Sequence, residues 1–182
     1  MKNLFVAMSL LCATAVNAVE KPKTVDSFLG YKFDGVIVTN DMVKLDYTSK
    51  YHEDYKTYEV KFAKKFTIFE DAKIDTSVNG NFFGIKMSKY ITASQGASDE
   101  HKRLITILEA KYGKADDDGY GCHHIWKFNS GARVIDLYYD AMHDDIRLSA
   151  KDSALEKKYK KEFEENKKKQ EQSKSAGEID ML

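Results

Sequence analysis

One proline, Pro22, and two cysteines, Cys12 and Cys122, are all that the 182 residues contain of either type. Pro22 precedes the region that looks folded, so no Pro-rich linker divides the chain, whose length suits one domain with an appendage. Net charge is lacking as well: 29 basic residues balance 29 acidic ones. A chain so balanced offers no electrostatic reason to name nucleic acid or a membrane surface as its main partner. Local catalytic signatures are missing too. The sequence holds no Gly-rich phosphate loop ending in Lys-Ser/Thr, no nucleophile elbow, no His-Glu-x-x-His and no Cys-x-x-Cys. Gly119-Tyr120-Gly121 is two glycines beside a turn and opens no helix. No cofactor is therefore expected, and a catalytic residue cannot be named.

What is present begins with an export pattern. Lys2 supplies a positive start, Leu4 to Ala15 form an apolar run broken by Ser9 and Thr14, and Val16-Asn17-Ala18 offers a small-residue cleavage site. The run falls short of the roughly 20 apolar residues a permanent span needs. Residues 1–18 are expected to be a cleavable signal peptide, which places the mature chain in the periplasm. A lipid anchor on Cys12 is not expected, because Leu11 stands where a small residue is wanted. Cleavage leaves Cys122 alone, so no internal disulfide can form and the core must hold the fold. Such a thiol is expected to be buried and inert.

Residues 19–27 are polar and expected to be flexible, followed by an α+β domain over 28–150. Tyr58, Val60 and Phe62 alternate with Glu59 and Lys61, the period of a strand with one wet face. A second strand is expected from Phe66 through Ile74. Asn79-Gly80 predicts a tight hairpin with both residues at positive φ, after which Phe83, Ile85 and Met87 alternate with Gly84, Lys86 and Ser88. Leu104, Ile105, Leu108 and Tyr112 predict a helix over 99–112, capped by Ser98 and ended by Gly113. Strands follow over 122–128, 132–139 and 146–150. The fold class expected is α+β: an antiparallel sheet of meanders and hairpins with one packed helix after the first strands. Ser153-Ala154-Leu155-Glu156 has capping-box spacing and starts a long charged helix over 151–175. Its stripe of Leu155, Tyr159 and Phe163 ends there, and 176–182 form a flexible tail.

Two groups of residues stand out as candidate sites. Cys122 and His124 are ligand types that zinc and copper favour, with His123 between them. On a strand Cys122 and His124 share a side with Trp126 and Phe128, so a packed role competes with a metal role. Tyr47, Tyr51, Tyr55 and Tyr58 cluster in a chain with 11 tyrosines and 10 phenylalanines. Tyrosine supplies much contact area with few rotatable bonds, which suits a binding surface, although strands also favour it. His52-Glu53-Asp54, Asp116-Asp117-Asp118 and His143-Asp144-Asp145 read as solvated turns. The nine lysines and six acids of 151–175 interleave as on a solvated helix.

Leu108-Glu-Ala-Lys-Tyr-Gly-Lys114, the strand carrying Trp126 and then Val134-Ile-Asp-Leu137 resemble small exported α+β proteins of Gram-negative bacteria. The resemblance spans about residues 28–150. It implies a periplasmic single domain and carries over no site residue. A cysteine pair across the helix and the next strand is not available, since His101 lies in the helix and only Cys122 remains. The function expected is a non-enzymatic binding module for a protein partner in the cell envelope, inhibitor-like or immunity-like. A metal-binding protein or metal-dependent hydrolase, and a structural subunit assembling through the C-terminal helix, are the alternatives. Neither nucleic acid nor a stable membrane anchor is expected.

Overall fold

A computed structural model describes residues 21–37, 42–43, 54–66, 68–92 and 96–179. In chain order the strands are β1 (Ser27–Phe28), β2 (Tyr31–Lys32), β3 (Met42–Val43), β4 (Tyr55–Phe66), β5 (Phe69–Ser77) and β6 (Phe82–Tyr90). Helix α1 (Ala97–Tyr112) leads to β7 (Asp116–Asp117), β8 (His123–Phe128), β9 (Arg133–Asp140) and β10 (Asp145–Asp152). Helix α2 (Ser153–Ile179) closes the order. β1 and β2 make a small hairpin, and the other eight form one sheet in the order β3-β4-β5-β6-β10-β9-β8-β7. Every pairing in it is antiparallel. The fold is α+β.

Two three-stranded meanders, β4-β5-β6 and β8-β9-β10, each run into a helix, and they join along β6 and β10. The helices cross over: α1, which follows the first meander, contacts β9 and β10, while α2, which follows the second, contacts β5 and β6. Period-two patterning sorts the side chains. Ile74, Ile85, Met87, Leu137, Ile146, Leu148, Trp126 and Phe128 are buried together on one face. His101, Leu104, Leu108 and Tyr112 on α1 cover that face. Each large apolar side chain so buried stabilises the fold by roughly 1.5–3 kcal/mol.

The ends of α1 differ from expectation at the start and agree at the finish. Gly96, in the left-handed conformation, precedes the first turn, and Ser98 lies inside the helix without capping it. Gly113 ends it at φ 76°, its N–H bonding the Glu109 carbonyl. No other residue fits there, because a Cβ would meet the Lys21 backbone at 2.8 Å. The Gly113 carbonyl in turn accepts the Trp126 indole N–H at 2.7 Å.

The hairpin after β5 also departs from expectation. Gly80 takes positive φ and Asn79 does not, so the loop is a longer turn closed by one left-handed residue rather than a two-residue turn. Beyond it the register slips between Asp75 and Thr76, leaving Phe83 as an extra residue. Phe83 is consequently buried apart from the main core, with Tyr55 at 5.9 Å and Tyr159 at 6.0 Å between ring centroids.

The segment before residue 28, expected to lie loose, packs against the body from Lys21 onward. Val25 is buried, its N–H donates to Asn129 Oδ1 at 3.1 Å, and the Asn129 N–H donates to the Lys23 carbonyl at 3.0 Å. Arg133 clasps this segment by bonding the Val25 carbonyl, Asp26 at 3.0 Å and Asp152 at 2.6 Å. At the start of α2 the cap is Asp152, whose Oδ1 accepts the N–H groups of Ala154 at 3.0 Å and Leu155 at 2.9 Å. Ser153 instead donates to the Ala132 carbonyl, and Glu156 pairs with Lys151 at 2.7 Å. A carboxylate at a helix start satisfies the free amides and the positive dipole end together. Tyr159 and Leu155 dock α2, Leu155 against the core and Tyr159 with its ring tilted 48° to that of Phe83 and its hydroxyl on Asp34. That bond, ahead of the nearby Lys158, lowers the Asp34 pKa, while burial raises that of Tyr159. Past Phe163 the helix is exposed as far as its side chains are described.

Candidate functional site

The face of the sheet away from α1 is the candidate site. Successive residues on a strand point to opposite faces, so burying Ile74, Ile85, Leu137 and Leu148 turns their neighbours outward. Register then sets the outward residues side by side. One row runs Lys73, Lys86, Ser149 and Asp136, each directly across from the next. The adjacent row runs Ser88, Arg147, Tyr138 and His123. These eight side chains come from five neighbouring strands and line a trough of about 660 Å³. No described element lies over it; the first turns of α2 stop at Phe83, toward one end of the sheet.

The trough has two unlike sides. On β5, β6 and β10 sit three cations, Lys73, Lys86 and Arg147. Lys86 Nζ lies 2.9 Å from Asp75 Oδ2, and the Thr57 hydroxyl donates to the other Asp75 oxygen at 2.9 Å. Burial works against the Lys86 ammonium, but the Asp75 carboxylate outweighs it and the pKa is raised. Arg147 Nε bonds Asp145 at 2.5 Å, and the guanidinium lies 5.8 Å from the centre of the Tyr138 ring. Its pKa is raised by the Asp145 hydrogen bond. On β8 and β9, His123 Nε2 and Asp136 Oδ1 are 3.0 Å apart, with the imidazole edge-on to Tyr138. The site thus offers cationic donors at one side and an imidazole-carboxylate pair at the other, with serine hydroxyls between.

The loops at the far end of the trough carry exposed apolar side chains. Tyr90 ends β6 and is 64% exposed, Tyr120 in the β7–β8 loop is 88% exposed, and Met142 in the β9–β10 loop is 90% exposed. Both loops are set by carboxylates that fold back onto backbone amides. Asp117 Oδ1 accepts the Gly119 N–H at 2.7 Å, which lowers its pKa. Asp140 binds the His143 ring at 2.8 Å and the amides of Met142 and His143; the His143 ring bond is the main cause of its lowered pKa.

The residues singled out from the sequence are dispersed. Tyr47 and Tyr51 lie outside the described residues, as do His52 and Glu53. Tyr55 and Tyr58 are on β4 and, three apart, point to opposite faces: Tyr55 packs on Phe83, where burial raises its pKa, and Tyr58 stands opposite Ile74. They do not form one patch. Cys122 precedes β8 instead of lying within it and is half-buried instead of buried, its thiol 3.6 Å from the Tyr120 carbonyl. His124 is buried on the α1 face, with Nε2 3.3 Å from the Gly121 carbonyl. Among the described residues no three His, Cys, Asp or Glu side chains converge as metal ligands.

Two features escaped the sequence reading. His101, 3% exposed, lies in α1 with its ring 5.3 Å from that of His124 and 5.5 Å from that of Tyr139. Its Nε2 has no hydrogen-bond partner, and burial, with His124 adding to it, lowers its pKa to about 4. Spacing gave a signal, since His101, Leu104, Leu108 and Tyr112 fall on one helical stripe. The trough itself left a fainter one: its residues are the wet positions of alternating strands, but register across α1 decides which of them meet. No described helix is long and apolar enough to cross a membrane. Compared with protein-family models, curated proteins and solved structures, the chain matches none.

Proposed function

We propose that the protein is a binding module of the cell envelope that docks a protein partner on the open face of its sheet. The trough carries this reading. Five hydrogen-bonded strands hold its lining residues in fixed register, while the opposite face of the same strands is buried, under α1 at β9 and β10 and under Tyr31 and Phe33 at Phe82 of β6. A surface fixed by a sheet loses little entropy on binding, which favours recognition. Tyr90, Tyr120 and Met142 at its end suit the rim of such a contact, because exposed aromatic and methionine side chains are enriched where proteins meet. Export through residues 1–18, with cleavage after Ala18, would deliver the module to its partner. An inhibitor or immunity protein is one form this role takes.

A photo-crosslinking residue placed at Ser88 or Tyr138 tests the reading in cells. Both positions should trap the same envelope protein, while a probe at Lys169, far out on α2, should not. Adducts that differ between the two trough positions, or none from either, would overturn it. Mass analysis of the exported chain should find Val19 at its start.

A further inference from the structure

We infer that the trough binds carboxylates, so that the partner docks by laying an acidic segment across Lys73, Lys86 and Arg147. This rests on the docking reading above. The first observation is an arrangement that folding alone does not favour. Lys73 and Lys86 stand directly opposite each other on β5 and β6, and like charges so placed destabilise a sheet, although Glu59 faces Lys73 from β4 on its other side. Asp75, the diagonal neighbour of Lys86 on β5, pairs with it at 2.9 Å. Among the described residues Lys73 makes no ion pair with any carboxylate.

The second observation is spacing. On the two central strands Lys86 faces Ser149, and Ser88 faces Arg147. Long cations therefore alternate with short hydroxyls in a checkerboard, which leaves room between the cations at the height where a ligand carboxylate would sit. Arg147 has five N–H donors; Asp145 takes Nε and Asp140 lies 4.0 Å from one terminal nitrogen, so the remaining donors are left for a ligand oxygen. The opposing charge on the far wall, Asp136, is engaged by His123 at 3.0 Å. A carboxylate entering beside Lys73 thus meets two or three donors. Charge-assisted bonds of that kind give both affinity and orientation. A polyphosphate backbone fits less well, because it needs a long continuous track of cations, whereas the trough holds three and the chain has no net charge.

The test uses the whole mature chain and fluorescein-labelled hexaglutamate, followed by anisotropy, beside a labelled single-stranded oligonucleotide. Hexaglutamate should bind in a salt-sensitive manner, and the double variant Lys73→Glu/Arg147→Glu should weaken it about tenfold or more. The control Lys168→Glu/Lys169→Glu on α2 should change it less than about twofold, since exposed rim charges contribute little. If the double reversal does not fold, Lys73→Ser/Arg147→Ser takes its place with the same direction expected. Equal weakening by the α2 control, no weakening by the trough variants, or tighter binding of the oligonucleotide would each overturn the inference. Should the crosslinks from Ser88 and Tyr138 still agree in that event, the docking surface stands and the acidic segment falls. Should they disagree, both fall.

Discussion

The two faces of this sheet are made by the same strands and do opposite work. On the α1 side, Trp126, Leu137, Ile146 and Leu148 are wholly buried, and their packing sets stability. On the other side, beyond the end where α2 docks, the trough residues hold charges in fixed positions, with Lys73 between Lys86 and Glu59. The contrast separates residues that make the fold from residues that the fold presents. A lysine beside a lysine on a packed, dry face would be intolerable; here, facing water, it is retained.

Three measurements sharpen or break that contrast. Trp126→Ala should have the largest effect. It empties the centre of the packed face and removes the bond to Gly113, so urea unfolding should show a loss of about 3–5 kcal/mol. A loss below about 1 kcal/mol would mean the packed face does not carry the stability assigned to it.

The second concerns proton exclusion from that same face. His101 titrates near 4 in the folded chain against 6.5 when free. A histidine with a depressed pKa is neutral in the fold, so its contribution is complete above pH 6.5. Below that the unfolded chain takes up a proton that the native one refuses. Stability therefore falls as pH drops from 6.5 toward 4, by roughly 3 kcal/mol in all. The groups packed against His101 are the His124 and Tyr139 rings, neither of which supplies a negative charge to offset the cost. Replacing His101 by Leu should flatten the stability profile across this window relative to the parent chain. Parallel profiles for the two would contradict the account.

The smallest effect is expected on the open face. Lys73→Ala should shift unfolding by no more than about 0.5 kcal/mol in either direction, because it relieves Lys86 but removes the cation facing Glu59. A clear destabilisation would show that Lys73 belongs to the scaffold.

Much of the architecture was legible because it depends on neighbours in sequence. Period-two runs around Val60, Ile85 and Leu137 identify strands, and the Leu104–Leu108–Tyr112 stripe identifies α1. Local ends were less legible. Ser98 and Ser153 have the right chemistry for caps, yet Gly96 and Asp152 hold those places, since a cap is set by where the preceding chain enters. The bulge at Phe83 has no local mark at all. The trough was hidden for a stronger reason: Lys86 and Arg147 meet only through pairing of β6 with β10, which lie on opposite sides of α1 in the chain. At the cysteine–histidine cluster the alternation put His124 on the packed side with Trp126, where it lies, while Cys122 falls in the loop just before β8 and is half-buried.

The β6–β10 seam has a kinetic consequence. Each meander can zip from its own hairpins, but this central ladder closes only after the intervening helix and strands have been drawn in, so its entropy cost falls late. Until it closes, two half-sheets each show a raw inner edge, the kind of edge that pairs with strangers. The rate of that closure, more than the final stability, governs how long a newly made chain stays vulnerable to aggregation.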